Sequence, residues 1–202
     1  MRQLYLYGAS GHAKVIRDIV EACGDSVAGL FDDDTAVGEL QGMTVNHRYD
    51  GQSPLIISIG SNRVRKMLSE RFNVVYASAI HPSAVVSPFA SVGEGTVVMQ
   101  RAVIQTEAQI GRHSIVNTGT CIDHECRIAD FVHLSPGTVL CGNVTVGEGT
   151  WIGAGTTVIQ GINIGRWCMI GAGSVVVKDI PDGCLAYGNP CKVVKLINED
   201  IL

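Results

Sequence analysis

Between Ile80 and Pro181 the chain divides into seventeen consecutive hexapeptides, and every one opens on Ile, Val or Leu, from Ile80, Val86 and Val92 through Leu134 and Leu140 to Ile170 and Val176. No insertion breaks the register. If about one residue in four is Ile, Leu or Val, that run has chance odds on the order of one in ten billion, so the repeat governs what the chain can fold into. The position four residues after each leader is mostly small, as at Ala102, Ala108, Ser114, Thr120, Cys126 and Thr138. A period of six fits neither a helix face at 3.6 nor an alternating strand at 2, so the chain must run as a short strand and turn, repeatedly. Gly and polar residues gather where the turns fall, as in Val146-Gly-Glu-Gly-Thr-Trp151. Stacked turns of this kind bury the leaders in one column while parallel strands pair between coils at roughly 4.8 Å.

Residues 1–79 follow a different pattern. The apolar run Leu4–Tyr7 leads into Gly8-Ala-Ser-Gly-His12 and a helical pattern from Lys14 to Cys23. A second run, Val27 to Phe31, ends in Asp32-Asp33-Asp34, and a third, Leu55 to Ile59, ends in Gly60-Ser-Asn62 before the amphipathic stretch Arg63 to Phe72. Strand alternating with helix predicts a small parallel α/β domain, whose ligands sit beyond the carboxyl ends of the strands. The chain is therefore expected to hold an α/β domain over 1–79 and an all-β parallel helix of hexapeptides over 80–202. Gly8-x-x-Gly11 lacks the full G-x-G-x-x-G fingerprint, which argues against a nicotinamide cofactor.

Composition narrows the functional classes. A formal charge of −4 and the absence of Lys/Arg-rich runs argue against nucleic acid as a partner. No stretch approaches the roughly 18 apolar residues of a membrane span, and Met1 to Val20 reads as strand and turn, so the cytoplasm is the expected compartment. Seven cysteines form no C-x-x-C pair and are expected to be reduced, with Cys126 and Cys168 buried in small-residue positions. No spacing supports a metal site.

Among six histidines, His124 lies two residues past the leader Ile122, at a turn position that points out of the column, with Asp123 and Glu125 beside it. A carboxylate bonded to one imidazole nitrogen fixes the tautomer and makes the other the better base. Alone, such a histidine reads first as a surface residue.

The leader-Gly-x-x-small pattern over this length resembles the left-handed parallel β-helix of the hexapeptide-repeat acyltransferases, in which three hexapeptides make one triangular coil. That resemblance implies nearly six coils, a homotrimer, and acyl-coenzyme A bound between neighbouring prisms. Joined to the β-helix, Tyr7-Gly-Ala-Ser-Gly-His-Ala13 and the ending Tyr187-Gly-Asn-Pro-Cys-Lys192 resemble the sugar O- and N-acyltransferases of the sialic acid O-acetyltransferase family. Cys191 stands where the closing motif has Ala. The subgroup it looks most like acetylates the amine of nucleotide-linked 4-amino-4,6-dideoxy sugars. From the resemblance, Ser10, Gly11, His12, Asp32, Asp33 and Gly60 are expected to hold a UDP-linked amino sugar. Ile122-Asp-His-Glu-Cys126 matches the family's catalytic hexapeptide, implying His124 as base and Glu125 as its enhancer. His133, Gly142, Ala154 and Ala172 fall on positions that contact acetyl-coenzyme A. Rival expectations are O-acetylation of a sialic acid or related hydroxyl, and a non-catalytic scaffold that binds a sugar nucleotide.

Overall fold

The structure, a computed structural model, describes residues 1–197. The amino-terminal part is a five-stranded sheet in the order β3-β4-β2-β1-β5, built from β1 (Gln3–Tyr7), β2 (Ser26–Phe31), β3 (Glu39–Leu40), β4 (Met43–Asn46) and β5 (Leu55–Ile57). All neighbours run parallel except the β3–β4 hairpin, which the sequence pattern did not announce because its strands are short and half exposed. Helix α1 (Gly11–Ala22) begins three residues earlier than the apolar periodicity indicates, and α2 spans Asn62–Arg71. The early start of α1 matters. It makes Ser10 the N-cap residue, with no side-chain cap bond, and leaves the first amides of the helix pointing beyond the carboxyl end of β1. Gly8 is required there: at φ 113°, a Cβ would lie 2.5 Å from Ile59 Cγ1 and 2.9 Å from the Ser58 carbonyl oxygen.

From Ala79–Ile80 to Val175–Val176 each hexapeptide contributes one two-residue strand, and its aliphatic leader is the second residue of that strand. The strands form three parallel sheets whose neighbours are eighteen residues apart, such as Ile115 with His133 and Cys121 with Val139. The result is a triangular solenoid. Its first face includes Val97–Val98, His133–Leu134 and Trp151–Ile152; its second, Val103–Ile104 and Cys121–Ile122; its third, Gln109–Ile110 and Arg127–Ile128. Cys184–Tyr187 extends the first face in parallel, and Lys192–Leu196 closes it with an antiparallel strand.

The leaders from Val98 to Val176 form one buried column, each contributing about 1.5–3 kcal/mol of apolar burial. The expected column is incomplete at its start, where Ile80 is 37% exposed because no earlier coil covers it. Small polar residues inside the column have a second task. Thr96, Ser114, Cys126, Thr150 and Cys168 each donate to a corner carbonyl fifteen or thirteen residues on, at 2.7, 3.0, 3.2, 2.7 and 3.0 Å. These bonds satisfy carbonyls that the turning backbone would otherwise leave unpaired. Cys126 thus faces the column, as its register predicts, and all seven cysteines are free thiols.

The two parts pack against each other. Leu4, Leu6 and Ile16 share a core with Val97, Met99 and Ile115 of the first face. At the corner between the third and first faces, α2 meets the solenoid: Asn62 Nδ2 donates to the Gly149 carbonyl at 3.0 Å, and Lys66 pairs with Glu148. No helix among the described residues is long and apolar enough to cross a membrane.

Candidate functional site

His124 sits at the corner between the second and third faces, about half exposed, where its ring projects from the column as its register requires. Its Nδ1 lies 2.9 Å from Glu125 Oε2, and its backbone amide donates to Asp123 Oδ1 at 2.8 Å. Glu125 adopts φ 61°, a left-handed conformation uncommon for a side-chain-bearing residue, and this corner geometry lets two adjacent side chains meet. With Nδ1 engaged as donor to the carboxylate, Nε2 carries the free lone pair. The ring lies over Gly142, one coil further on, where a Cβ would approach Cε1 to 2.5 Å and Nε2 to 2.6 Å. Asp123, His124, Cys141, Gly142, Asn143, Gln160 and Gly161 line one shallow pocket.

A separate groove of about 480 Å³ runs along the first face. It gathers His133, Ala154 and Ala172, with Asn117, Ser135, Trp151 and Met169 completing its walls. Gly142 lies apart from these, under His124. The His133 ring stacks on Trp151 with centroids 5.4 Å apart, and Trp151 Nε1 donates to Ser135 Oγ at 2.7 Å. Asn117 Nδ2 lies 3.2 Å from His133 Nε2, and Nδ1 faces the backbone of Gly60 without reaching hydrogen-bond geometry. Across the junction, His12 is close enough to act on His133 electrostatically.

The strand ends of the α/β part converge as the sequence pattern anticipates. Asp32 closes the glycine turn: Oδ2 accepts from the Ala9 amide at 2.7 Å and Oδ1 from the Asp34 amide at 2.9 Å. Asp33 accepts from Tyr7 Oη at 2.6 Å and from Arg71 Nη1 at 3.0 Å. The Tyr7 hydroxyl, and then Arg71, hold the Asp33 carboxyl below the usual carboxylate range against partial burial. Both carboxylates are therefore engaged before any ligand arrives. Ser10 and Gly11 are exposed at the head of α1.

Burial dominates the other ring systems. It lowers the pKa of His12 to about 4, His113 to about 4 and His133 to about 3, with Arg65 adding to each effect. His113, at a corner of the solenoid, is 3% exposed, stacked on Phe131 and set edge-on to Tyr76. In the unfolded chain these rings take up protons below about pH 6.5, whereas in the folded chain they stay neutral well below it. Their contribution to stability is thus complete above about pH 6.5 and is lost as the pH falls, by up to about 1.4 kcal/mol per pH unit for each buried ring. The melting temperature is expected to fall between pH 7.5 and pH 5. An unchanged value would contradict the burial of these rings as neutral groups.

Two residues of these sites carried no sequence signal. Asn117 is an ordinary polar corner residue until the fold sets it beside His133. Arg65 looks like part of the solvated face of α2, yet it is 1% exposed. Among the described residues, no group of three His, Cys, Asp or Glu side chains could hold a metal ion.

Comparison with known proteins agrees with both parts. Residues 3–72 match the PglD N-terminal domain, and residues 143–178 match the bacterial transferase hexapeptide, six repeats. The solved structure of PerB from Caulobacter crescentus, in complex with CoA and GDP-perosamine, is 40% identical with a TM-score of 0.89, over 96% of this chain and 97% of that one. The acetyltransferase domain of PglB from Neisseria gonorrhoeae is 36% identical with a TM-score of 0.88, over 96% and 100%. A curated relative, the UDP-N-acetylbacillosamine N-acetyltransferase of Bacillus subtilis (strain 168), is 40% identical over 112 residues, 49% of this chain and 52% of that one. The chain thus matches about half the length of that curated relative. Because the likeness to PerB and PglB runs through the α/β part and the solenoid together, the chain belongs to the hexapeptide-repeat sugar acetyltransferases that carry a PglD-type N-terminal domain.

Proposed function

We propose that this chain transfers the acetyl group of acetyl-coenzyme A to the amine of a UDP-linked 4-amino-4,6-dideoxy sugar, in the cytoplasm, for bacterial surface or protein glycosylation. The observation that carries this reading is the His124–Glu125 pair, with Nε2 free at the lip of a pocket. Residues 1–79 hold the sugar nucleotide, with the open amides of Ser10, Gly11 and His12 facing its phosphates and Gly60 beside them. Asp32 and Asp33 shape that turn and accept from the ligand through their remaining lone pairs. The first-face groove around His133, Ala154 and Ala172 takes the pantetheine arm, whose thin chain suits small side chains and open backbone.

The chemistry follows from the free nitrogen. The neutral sugar amine bonds through nitrogen to the thioester carbonyl carbon while His124 Nε2 takes a proton from that nitrogen; the carbon–sulfur bond then breaks, and the imidazolium returns the proton to the departing thiolate, giving coenzyme A and an amide. Glu125 steadies the imidazolium formed between these events. Cys126 donates within the column and forms no acyl-enzyme, so initial-rate lines should intersect in double-reciprocal plots, as for a ternary complex.

The pocket of His124 and the groove of His133 lie on different sides of one triangular prism: His124 marks the corner opposite the face that carries His133. Neither pocket includes a residue of the other. A cyclic homotrimer, in which the corner of one subunit enters the groove of the next, unites them. The outward residues Val85, Val103, Val139 and Val175 give the second face, beside His124, an apolar surface.

Gly142→Ala tests the seat of the base. The glycine does not have a positive φ, so alanine is compatible with its backbone, but the added methyl displaces the imidazole. We expect turnover to fall at least about tenfold with an unchanged melting temperature; undiminished turnover would contradict this seating of His124. The whole reading is tested by incubating the protein with acetyl-coenzyme A and UDP- and GDP-linked amino sugars, then treating the product with mild alkali. An amide survives; an ester is lost and would move the assignment to O-acetylation. Absence of coenzyme A binding at millimolar concentration would leave a scaffold.

A further inference from the structure

Among the described residues, Arg65 is the largest fully buried side chain, and no carboxylate pairs with it. All five of its donor positions are used. Nε donates to the His113 carbonyl at 2.9 Å; Nη1 donates to the carbonyls of Ile59 and Gly60 at 3.1 and 2.8 Å; Nη2 donates to Asn62 Oδ1 and the Phe131 carbonyl at 2.8 and 3.1 Å. Burial lowers its pKa to about 9, which leaves it charged near neutrality. Taking an unpaired cation out of water is costly, and an apolar contact of the same volume would join two domains as well or better. The fork must therefore do something that an apolar plug cannot. It reaches the turn after β5 with one nitrogen and two successive coils of the solenoid, at His113 and Phe131, with the others. Phe131 lies two residues before His133, whose ring faces the Gly60 backbone.

We propose that Arg65 is a positioning residue for the sugar nucleotide: its guanidinium ties the Gly60 turn to the solenoid carbonyls of His113 and Phe131, fixing where that turn meets the nucleotide. This inference rests on the assignment of residues 1–79 to the sugar nucleotide. Arg65 touches no reacting atom. It acts through the Gly60 turn, on the acceptor and not on the acetyl donor. Lysine preserves the charge but cannot span the same carbonyls, because its donors radiate from one point.

The test is Arg65→Lys beside the parent, with Asn62→Ala as a second variant that removes one acceptor of the fork and the bond to Gly149. Binding of UDP- and GDP-linked 4-amino sugars and of acetyl-coenzyme A is measured by calorimetry, together with steady-state constants. For Arg65→Lys, the Michaelis constant of the sugar nucleotide is expected to rise at least about tenfold, that of acetyl-coenzyme A to stay within about twofold, and the turnover number at saturation within about threefold. Asn62→Ala should shift the same constant by less, and it decides the matter if the lysine variant does not fold. If either folded variant showed an unaltered sugar-nucleotide constant and only a smaller active fraction, Arg65 would be domain glue and the proposal would fall. A parent protein that bound none of the sugar nucleotides would overturn the reading of the α/β domain and this inference with it, whereas equal binding by parent and variants would overturn the inference alone.

Discussion

Turnover is expected to drop by about 10²- to 10⁴-fold when His124 is replaced by alanine, the range typical of a lost general base. The melting temperature should barely move. The ring stands half exposed on a corner, and its only side-chain bond is to Glu125, itself exposed, so little burial is lost. Both Michaelis constants should stay near their parent values, because the imidazole matters most as the amine loses its proton. Glu125→Ala should cost less, about tenfold, since His124 keeps its place over Gly142 but loses the partner that selects its tautomer. A His124→Ala protein within about threefold of the parent would remove the assigned base.

The second large effect is a recovery. His124→Ala lacks the base but keeps its own α/β domain; His12→Ala keeps the base but has a damaged acceptor site. If the active site joins the corner of one subunit to the groove of the next, mixed trimers of these two nearly inactive proteins contain some junctions with both halves intact. Random mixing in equal amounts should restore about a quarter of the parental activity, by the statistics of neighbouring pairs in a ring. Subunit exchange is needed, so the two are best co-expressed with different tags and purified through both, which removes the inactive homotrimers and raises the expected recovery to about a third. Doubly tagged trimers as inactive as their parents would place the whole site within one subunit. Sedimentation should give about three times the 21.4 kDa chain mass, and a fully active monomer would defeat the same idea.

The legible part of this fold was whatever repeats. A period of six carried over seventeen units fixes the position of every strand from Ala79 to Val176, and the orientation of His124 followed from its offset from Ile122. The glycine turn, the three acidic residues and Gly60 were readable because strand ends announce themselves by a change from apolar to ligand-type residues. What stayed hidden depends on contacts distant in the chain. Arg65 has the local context of a surface residue, and only the docking of α2 against Phe131 and His113 buries it. Gly142 matched a coenzyme position by resemblance, while its closest neighbour proved to be an imidazole eighteen residues earlier. The exposure of Ile80 reflects an end effect, which periodicity cannot express. Burial of His113 depends on Tyr76 and Phe131 closing over it, neither of which lies nearby in sequence.

The seat of His124 over Gly142 has structural counterparts elsewhere in the solenoid. His113 lies over Gly95 and Trp167 over Gly149, each ring occupying space that a Cβ one coil away would fill, at 2.2 and 2.4 Å. Those two rings lean toward the coil before them; His124 leans toward the coil after it. A stack of identical turns behaves like a small crystal, in which omitting one side chain creates a vacancy and the ring of an adjacent layer relaxes into it. On this view the seat of the proposed base is a point defect in an otherwise regular lattice, with its sign reversed relative to the other two. Such defects come as pairs eighteen residues apart, so among homologues a ring at position 124 and a glycine at position 142 should be gained and lost together, and the same covariation should link 95 with 113 and 149 with 167.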